Sequence, residues 1–153
     1  MKNLFILITF ISFSCNNIKY AKCVSVHDGD SIMVLEGAGK AFHVRLAEID
    51  CNELAQPHGL DAKHFTESLI LGRMVKIVIT GTDKYKRKIA KIYYKGRYIN
   101  EEIVKAGYCY VYKPYSSRKL YNEYLVAKRN KVGLWACKLQ EPPYKFRILH
   151  HKK

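Results

Sequence analysis

Apolar and polar positions alternate with period two through much of the first hundred residues, which predicts strands. Residues 23–26 alternate toward Asp28-Gly29-Asp30, a turn signal, and residues 31–35 are rich in β-formers. Gly37 and Gly39 allow a hairpin turn. The chain returns over residues 41–49, where Phe42, Val44 and Leu46 alternate with His43, Arg45 and Ala47. Arg45 is therefore expected to point away from the apolar face. After a loop holding Pro57 and Gly59, the spacing changes. Residues 62–71 predict a helix, with Ala62, Phe65 and Leu69 on one face and Gly72 as its stop. Strands are predicted again at 74–80 and 89–94, joined by a polar segment containing Asp83 to Lys88. Lys95-Gly96 reads as a tight turn, Asn100 as the cap of a short helix over 101–106, and Gly107 as its end. Residues 108–112 are extended and Lys113-Pro114 breaks them. Ser116 or Ser117 caps a longer helix reaching about Val132, with Leu120, Tyr124 and Ala127 on one stripe. Gly133 ends it, and Trp135 follows as a core anchor. Five short strands with a helix between the third and fourth predict a mainly β, α+β fold. Its natural form is a five-stranded OB-fold barrel packed with about three α-helices.

The ends of the chain read differently. Lys2 precedes a ten-residue apolar run, 4–13, which is too short to span a bilayer as a helix. Residues 1–20 are read as a signal peptide or lipoprotein leader. Cys15 after Ser14 is a candidate for lipidation, with ordinary cleavage and an uncleaved anchor as the alternatives. The expected domain spans 21–137. Residues 138–153 are basic, contain Pro142-Pro143, and are expected to form an arm on the surface or a disordered tail. With Cys15 set aside, Cys23, Cys51, Cys109 and Cys137 remain. In an exported protein four thiols allow up to two disulfides in three connectivities, with buried thiols as the alternative. No CxxC pair or Cys/His spacing suggests zinc. The expected location is secreted or cell-envelope.

Charge adds a partner class. The 153-residue chain carries 27 Lys plus Arg against 13 Asp plus Glu, a formal charge of +14. Such a surface favours a polyanion, since lysine and arginine neutralise phosphates. An anionic membrane surface is a weaker match, because no amphipathic helix shows a clean basic face. The few acids are not scattered. Asp28, Asp30, Asp50 and Glu53 fall within 26 residues, close to Arg45. Two or three carboxylates suit a hard cation, which takes six to eight oxygens. One more carboxylate can orient or deprotonate a water. The guanidinium forks of Arg45 and Arg87 suit a phosphate and the charge that grows on it. Tyr110 and Tyr112 flank Val111, so their rings share a face that can stack on bases. Lys84 and Lys113 add charge for phosphates. Taken singly, Asp30 reads as a turn residue, Glu53 as a solvated loop glutamate and the tyrosines as core.

The motifs VHDGDSI, RLAEIDCNE, DKYKR, YVYKP and GLW occur in this order between Val24 and Ala136. In that arrangement the chain resembles the staphylococcal nuclease (thermonuclease) family. The resemblance implies an OB-fold nuclease that hydrolyses DNA and RNA with calcium, leaving 3′-phosphates as the 5′-oxygen departs. It assigns the metal to Asp30, Asp50 and the backbone carbonyl of Cys51. Catalysis falls to Arg45, Glu53 and Arg87, and nucleotide contacts to Lys84, Tyr85, Tyr110 and Tyr112. The expected substrate is single-stranded or flexible nucleic acid, met by a monomer whose only membrane link is a lipid at Cys15. Cys51-Asn52 stands where the family has Thr-Pro or a similar pair, and Ser31 where it commonly has Thr. Lys86 replaces a family glycine; if that position holds a positive φ, the side chain costs on the order of 1 kcal/mol and can shift Arg87. Two other classes fit the charge: a nucleic-acid-binding module without catalysis, and a basic surface lipoprotein that binds an anionic polymer.

Overall fold

The computed structural model describes residues 17–112, 116–137 and 141–150. Among these residues alternation is realised as eight strands: β1 (Ile18–Val26), β2 (Ser31–Glu36), β3 (Lys40–Leu46), β4 (Ile49–Cys51), β5 (Met74–Thr82), β6 (Lys88–Tyr94), β7 (Arg97–Tyr98) and β8 (Cys109–Val111). Four helices join them: α1 (Gly59–Ile70), α2 (Ile99–Lys105), α3 (Arg118–Arg129) and α4 (Pro143–His150). A 3-10 turn, Gly133–Ala136, follows α3.

Strands pair in the order β3-β2-β1-β5-β6-β7, and β3 closes on β6. That closure makes a five-stranded mixed barrel of β1, β2, β3, β5 and β6, the expected OB-fold class. Its seam is parallel, with Val44, Arg45 and Leu46 opposite Lys88, Ile89 and Ala90. The inward set (Ala21, Cys23, Ile32, Val34, Val44, Val75, Ile77, Ala90 and Ile92) is inaccessible to solvent. Ile32, Ile77, Ile92 and three valines of this set pack the barrel interior with smaller Ala and Cys side chains between them.

Several boundaries depart from the sequence reading. β1 starts at Ile18, so the last three residues of the expected leader are barrel; residues 1–16, Cys15 included, lie outside the described residues. The strand predicted over 41–49 ends at Leu46, because Glu48 takes a positive φ of 71°. The chain turns there and re-enters extended structure as β4, which leaves the barrel and pairs with β8. α3 is capped by Ser117, whose side chain accepts the Leu120 N–H, and ends at Arg129. The helix count exceeds the expected three because the arm contributes α4.

Asn100 is a correction with structural weight. It does not cap α2, whose cap position is Tyr98; it is the second residue of the helix and fully buried. Its side-chain oxygen accepts the Ile92 N–H at 3.1 Å. Its amide donates to the Ala47 carbonyl at 2.9 Å. One side chain thus ties the helix to β6 and to the β3–β4 corner that leads to Asp50. Among the described residues no helix is long and apolar enough to cross a membrane.

Asn100→Ala leaves a buried donor and acceptor unpaired. The expected cost is about 1–3 kcal/mol of stability, read as a lower urea midpoint with unchanged slope.

Candidate active site

The acids converge at one end of the barrel. The turn between β1 and β2 is organised by Asp28, whose side chain accepts the Asp30 N–H at 3.0 Å. Gly29 is required by close approach: a Cβ there would lie 2.7 Å from Cys51 Cβ and 2.8 Å from Ala62 Cβ. The Gly29 carbonyl is held by the buried Thr66 hydroxyl at 2.8 Å. This packing presses the turn against β4 and α1, and buries Asp30.

Arg45, at the end of β3, links the cluster. Nη1 pairs with Asp30 Oδ1 at 2.9 Å and Nη2 with Asp50 Oδ1 at 2.8 Å. Nη1 also donates to the Ile49 carbonyl at 2.9 Å, which sets the fork in place. Asp30 Oδ2 accepts the Cys51 N–H at 2.5 Å, so the Cys51 main chain lies against this carboxylate. Burial pushes the Asp30 carboxyl well above the usual range, against the pull of Arg45. Glu53 lies beyond β4, its N–H donating to Gln56 Oε1 at 2.9 Å.

A residue not singled out in the sequence completes the cluster. Arg147 of α4 reaches Asp50 Oδ2 at 2.9 Å through Nη2, and Glu53 Oε1 at 2.7 Å through Nη1. Nη1 lies 3.2 Å from Asp50 Oδ1 as well, so Asp50 and Glu53 face one point. Burial disfavours the charge on Arg147, but the two carboxylates outweigh it and raise its pKa. Residues 143–150 of the expected arm lie on the surface as a helix docked over the acids. The sequence signal was slight: Pro143 and Phe146 lie three apart on the face that carries Arg147, amid basic residues.

Arg87 belongs to a neighbouring unit. It precedes β6, one strand over from Arg45, where Lys88 is the partner of Val44. Its Nε donates to Asp83 Oδ2 at 2.7 Å, and Asp83 Oδ1 accepts the N–H of Tyr85 and of Arg87, each at 2.9 Å. Burial acts against the charge on Asp83, yet these bonds hold its carboxyl below the usual range. The turn holds Lys86 at a φ of +64°, so the condition set for the position of the family glycine is met. Tyr85 is 67% exposed, with Lys84 Nζ 5.0 Å and the Arg87 guanidinium 5.5 Å from its ring centre. That leaves a ring and two cations facing solvent together.

Tyr110 stands opposite Asp50 in the β4–β8 pair. Its ring meets Trp135 edge-on at 4.8 Å. Burial pushes its hydroxyl up to about 12, so it stays neutral. A cleft of about 750 Å³ runs from Asp50 past Tyr110, Tyr124, Lys128 and Trp135 to Tyr144. Tyr112 is 55% exposed beside it. Lys113 lies outside the described residues.

The donor set suits a hard divalent cation. Asp30, Asp50 and the adjoining Cys51 main chain offer oxygen. Three carboxylates against Arg45 alone leave two formal negative charges, and Arg147 answers one of them. The sulfurs of Cys51 and Cys109 lie near Asp30, with the ligand atoms within 4.8 Å of one another, but they are joined as a disulfide and are not thiolate donors. This is the one disulfide among the described residues; Cys23 is a buried thiol and Cys137 an exposed one. It staples β4 to β8 next to Asp50.

Residues 43–137 match the family model described as staphylococcal nuclease homologue. An uncharacterized endonuclease of Haemophilus influenzae is 34% identical over 140 residues, covering 89% of this chain and 77% of that protein. An uncharacterized endonuclease of Escherichia coli O157:H7 is 33% identical over 139 residues, covering 88% of this chain and 86% of its own length. The staphylococcal-like nuclease CAN1 of Arabidopsis thaliana is 32% identical over 116 residues, 73% of this chain but only 35% of the longer plant protein.

The disulfide closes a span of 58 residues. Its removal by Cys51→Ser with Cys109→Ser should lower stability by about 2–5 kcal/mol, measured by urea denaturation under non-reducing conditions.

Proposed function

Because the chain belongs to the staphylococcal nuclease family and is a nuclease, a phosphodiester hydrolase, we propose that it cuts DNA and RNA with calcium and releases 3′-phosphate ends. The observation that carries this reading is the gathering of Asp30, Asp50 and Glu53 at one end of the barrel, with Asp30 and Asp50 bridged by Arg45 and Asp50 and Glu53 by Arg147. A calcium ion, held by Asp30, Asp50 and the Cys51 carbonyl, would supply positive charge to the substrate phosphate.

The protein's own groups divide the remaining work. Glu53 orients or deprotonates the attacking water, since its carboxylate faces the same point as Asp50 without touching Arg45 in the way Asp30 and Asp50 do. Arg45 fixes both metal carboxylates and brings fixed charge to the developing oxyanion. Arg87 swings its guanidinium from Asp83 to the phosphate, the exchange of one charged partner for another. Tyr110 and Tyr112 stack on bases along the cleft, while Lys84 and Tyr85 meet the neighbouring nucleotide, so little sequence preference follows. Such stacking needs unpaired bases, which favours single-stranded or flexible substrate. The protein acts as a monomer. Export is supported by the Cys51–Cys109 disulfide, which persists in oxidising compartments; a lipid on Cys15 would retain the enzyme at the cell envelope.

The test is cleavage of single-stranded DNA and RNA by the full chain, with calcium and then with chelator. Cleavage should require calcium, and Glu53→Gln or Arg87→Ala should each slow it about 10²–10⁴-fold. The ends should resist polymerase extension until a phosphatase removes the 3′-phosphate. Binding without cleavage in any divalent ion would overturn the reading in favour of a binding module.

A further inference from the structure

α4 does more than cover the barrel end. Its one arginine inside the acid cluster uses both oxygens of Asp50, at 2.9 and 3.2 Å, and one of Glu53, at 2.7 Å. These partners lie 94 and 97 residues away in sequence. The helix is aimed by two further contacts. Pro143 is buried at its start. Gln56 donates from Nε2 to the Glu141 carbonyl at 2.9 Å, while its Oε1 accepts the Glu53 N–H. One buried glutamine therefore holds both the catalytic loop and the arm.

We propose that α4 is an intramolecular plug, in which the Arg147 guanidinium stands in for the divalent cation at Asp50 and masks Glu53 until cation and nucleic acid displace it. The inference rests on the reading of Asp50 as a metal carboxylate. Its physical core is exclusion. A carboxylate whose lone pairs accept a guanidinium fork must give up those bonds to ligate a hard cation. A cation beside Arg147 would also meet its charge at close range. Released, Arg147 leaves Glu53 open to water. The docking is shallow: Tyr144, Ile148 and Leu149 are 52%, 57% and 64% exposed, so the helix holds on largely through Arg147, Pro143 and Gln56. Elements of this kind open locally without unfolding the domain. Phosphates of a bound strand offer Arg147 another anionic partner, which makes substrate a second releasing agent.

Calcium binding by the full-length chain, followed by calorimetry, tests the plug apart from activity. Arg147→Ala should bind calcium about tenfold tighter or more, equivalent to about 1.4 kcal/mol. Arg147→Lys, which lacks the planar fork, should fall between Arg147→Ala and wild type, and Lys145→Ala on the same helix should match wild type. In hydrogen exchange, the amides of 144–150 should be protected in chelator and exchange faster with calcium. The calcium needed for half-maximal cleavage should drop in Arg147→Ala, with the rate at saturating calcium within twofold. Unchanged or weaker calcium affinity in Arg147→Ala overturns the plug. So does a loss of saturating rate beyond tenfold at unchanged affinity, which would make Arg147 a catalytic residue. If neither protein binds calcium nor cuts in it, the calcium reading fails on its own. The same titration with magnesium and manganese then decides the plug, and no tightening with either ion overturns it.

Discussion

Like charges held within a few ångströms need a counter-charge, and this molecule solves that problem twice with arginine. Arg45 spans Asp30 and Asp50, which arrive from a turn and from a strand outside the barrel. Without that fork the two carboxylates would repel, and the Cys51 N–H bond to Asp30 would have to hold the turn to β4 against that repulsion. Repulsion between unit charges at such range is strong in a partly buried site. Arg147 answers one of the two charges left over, from a helix nearly a hundred residues away. The first arginine is built into the barrel and the second sits on a helix that can leave, which separates a permanent counter-charge from an exchangeable one.

The barrel supplies the distances on which this depends. Asn100 locks the corner after β3, and the close approach of Gly29 to Cys51 and Ala62 sets the depth of the acidic turn. The disulfide then fixes β4 against β8, so Asp50 and Tyr110 face each other across two strands. The proposed metal carboxylate and the proposed base-stacking ring share a wall for that reason. The neighbouring turn is a smaller rigid unit, where Asp83 uses three hydrogen bonds to hold Lys86 in a conformation that suits glycine.

Period-two alternation made most of the barrel legible, since inward residues such as Val44, Val75 and Ile92 have no other face to occupy. The gathering of Asp30, Arg45, Asp50 and Glu53 was legible from spacing and from resemblance to a known family. Four features were not. The break at Glu48 depends on a left-handed residue that no glycine or asparagine announces. Asn100 looks like a cap because its tertiary partners, Ile92 and Ala47, are distant in the chain. Cysteine spacing leaves pairings open, and only the β4–β8 register brings Cys51 to Cys109. Arg147 was masked by the lysines and arginines around it, because a run of basic residues reads as solvated until one of them finds an acid.

The pairing of β4 with β8 also governs when the molecule becomes dangerous to nucleic acid. Asp50 sits on a three-residue strand whose hydrogen-bonding partner is made almost sixty residues later. A chain still emerging from the ribosome has already produced Asp30, Asp50 and Glu53, but not the strand on which Asp50 pairs. Topology thereby delays completion of the site until β8 has been made.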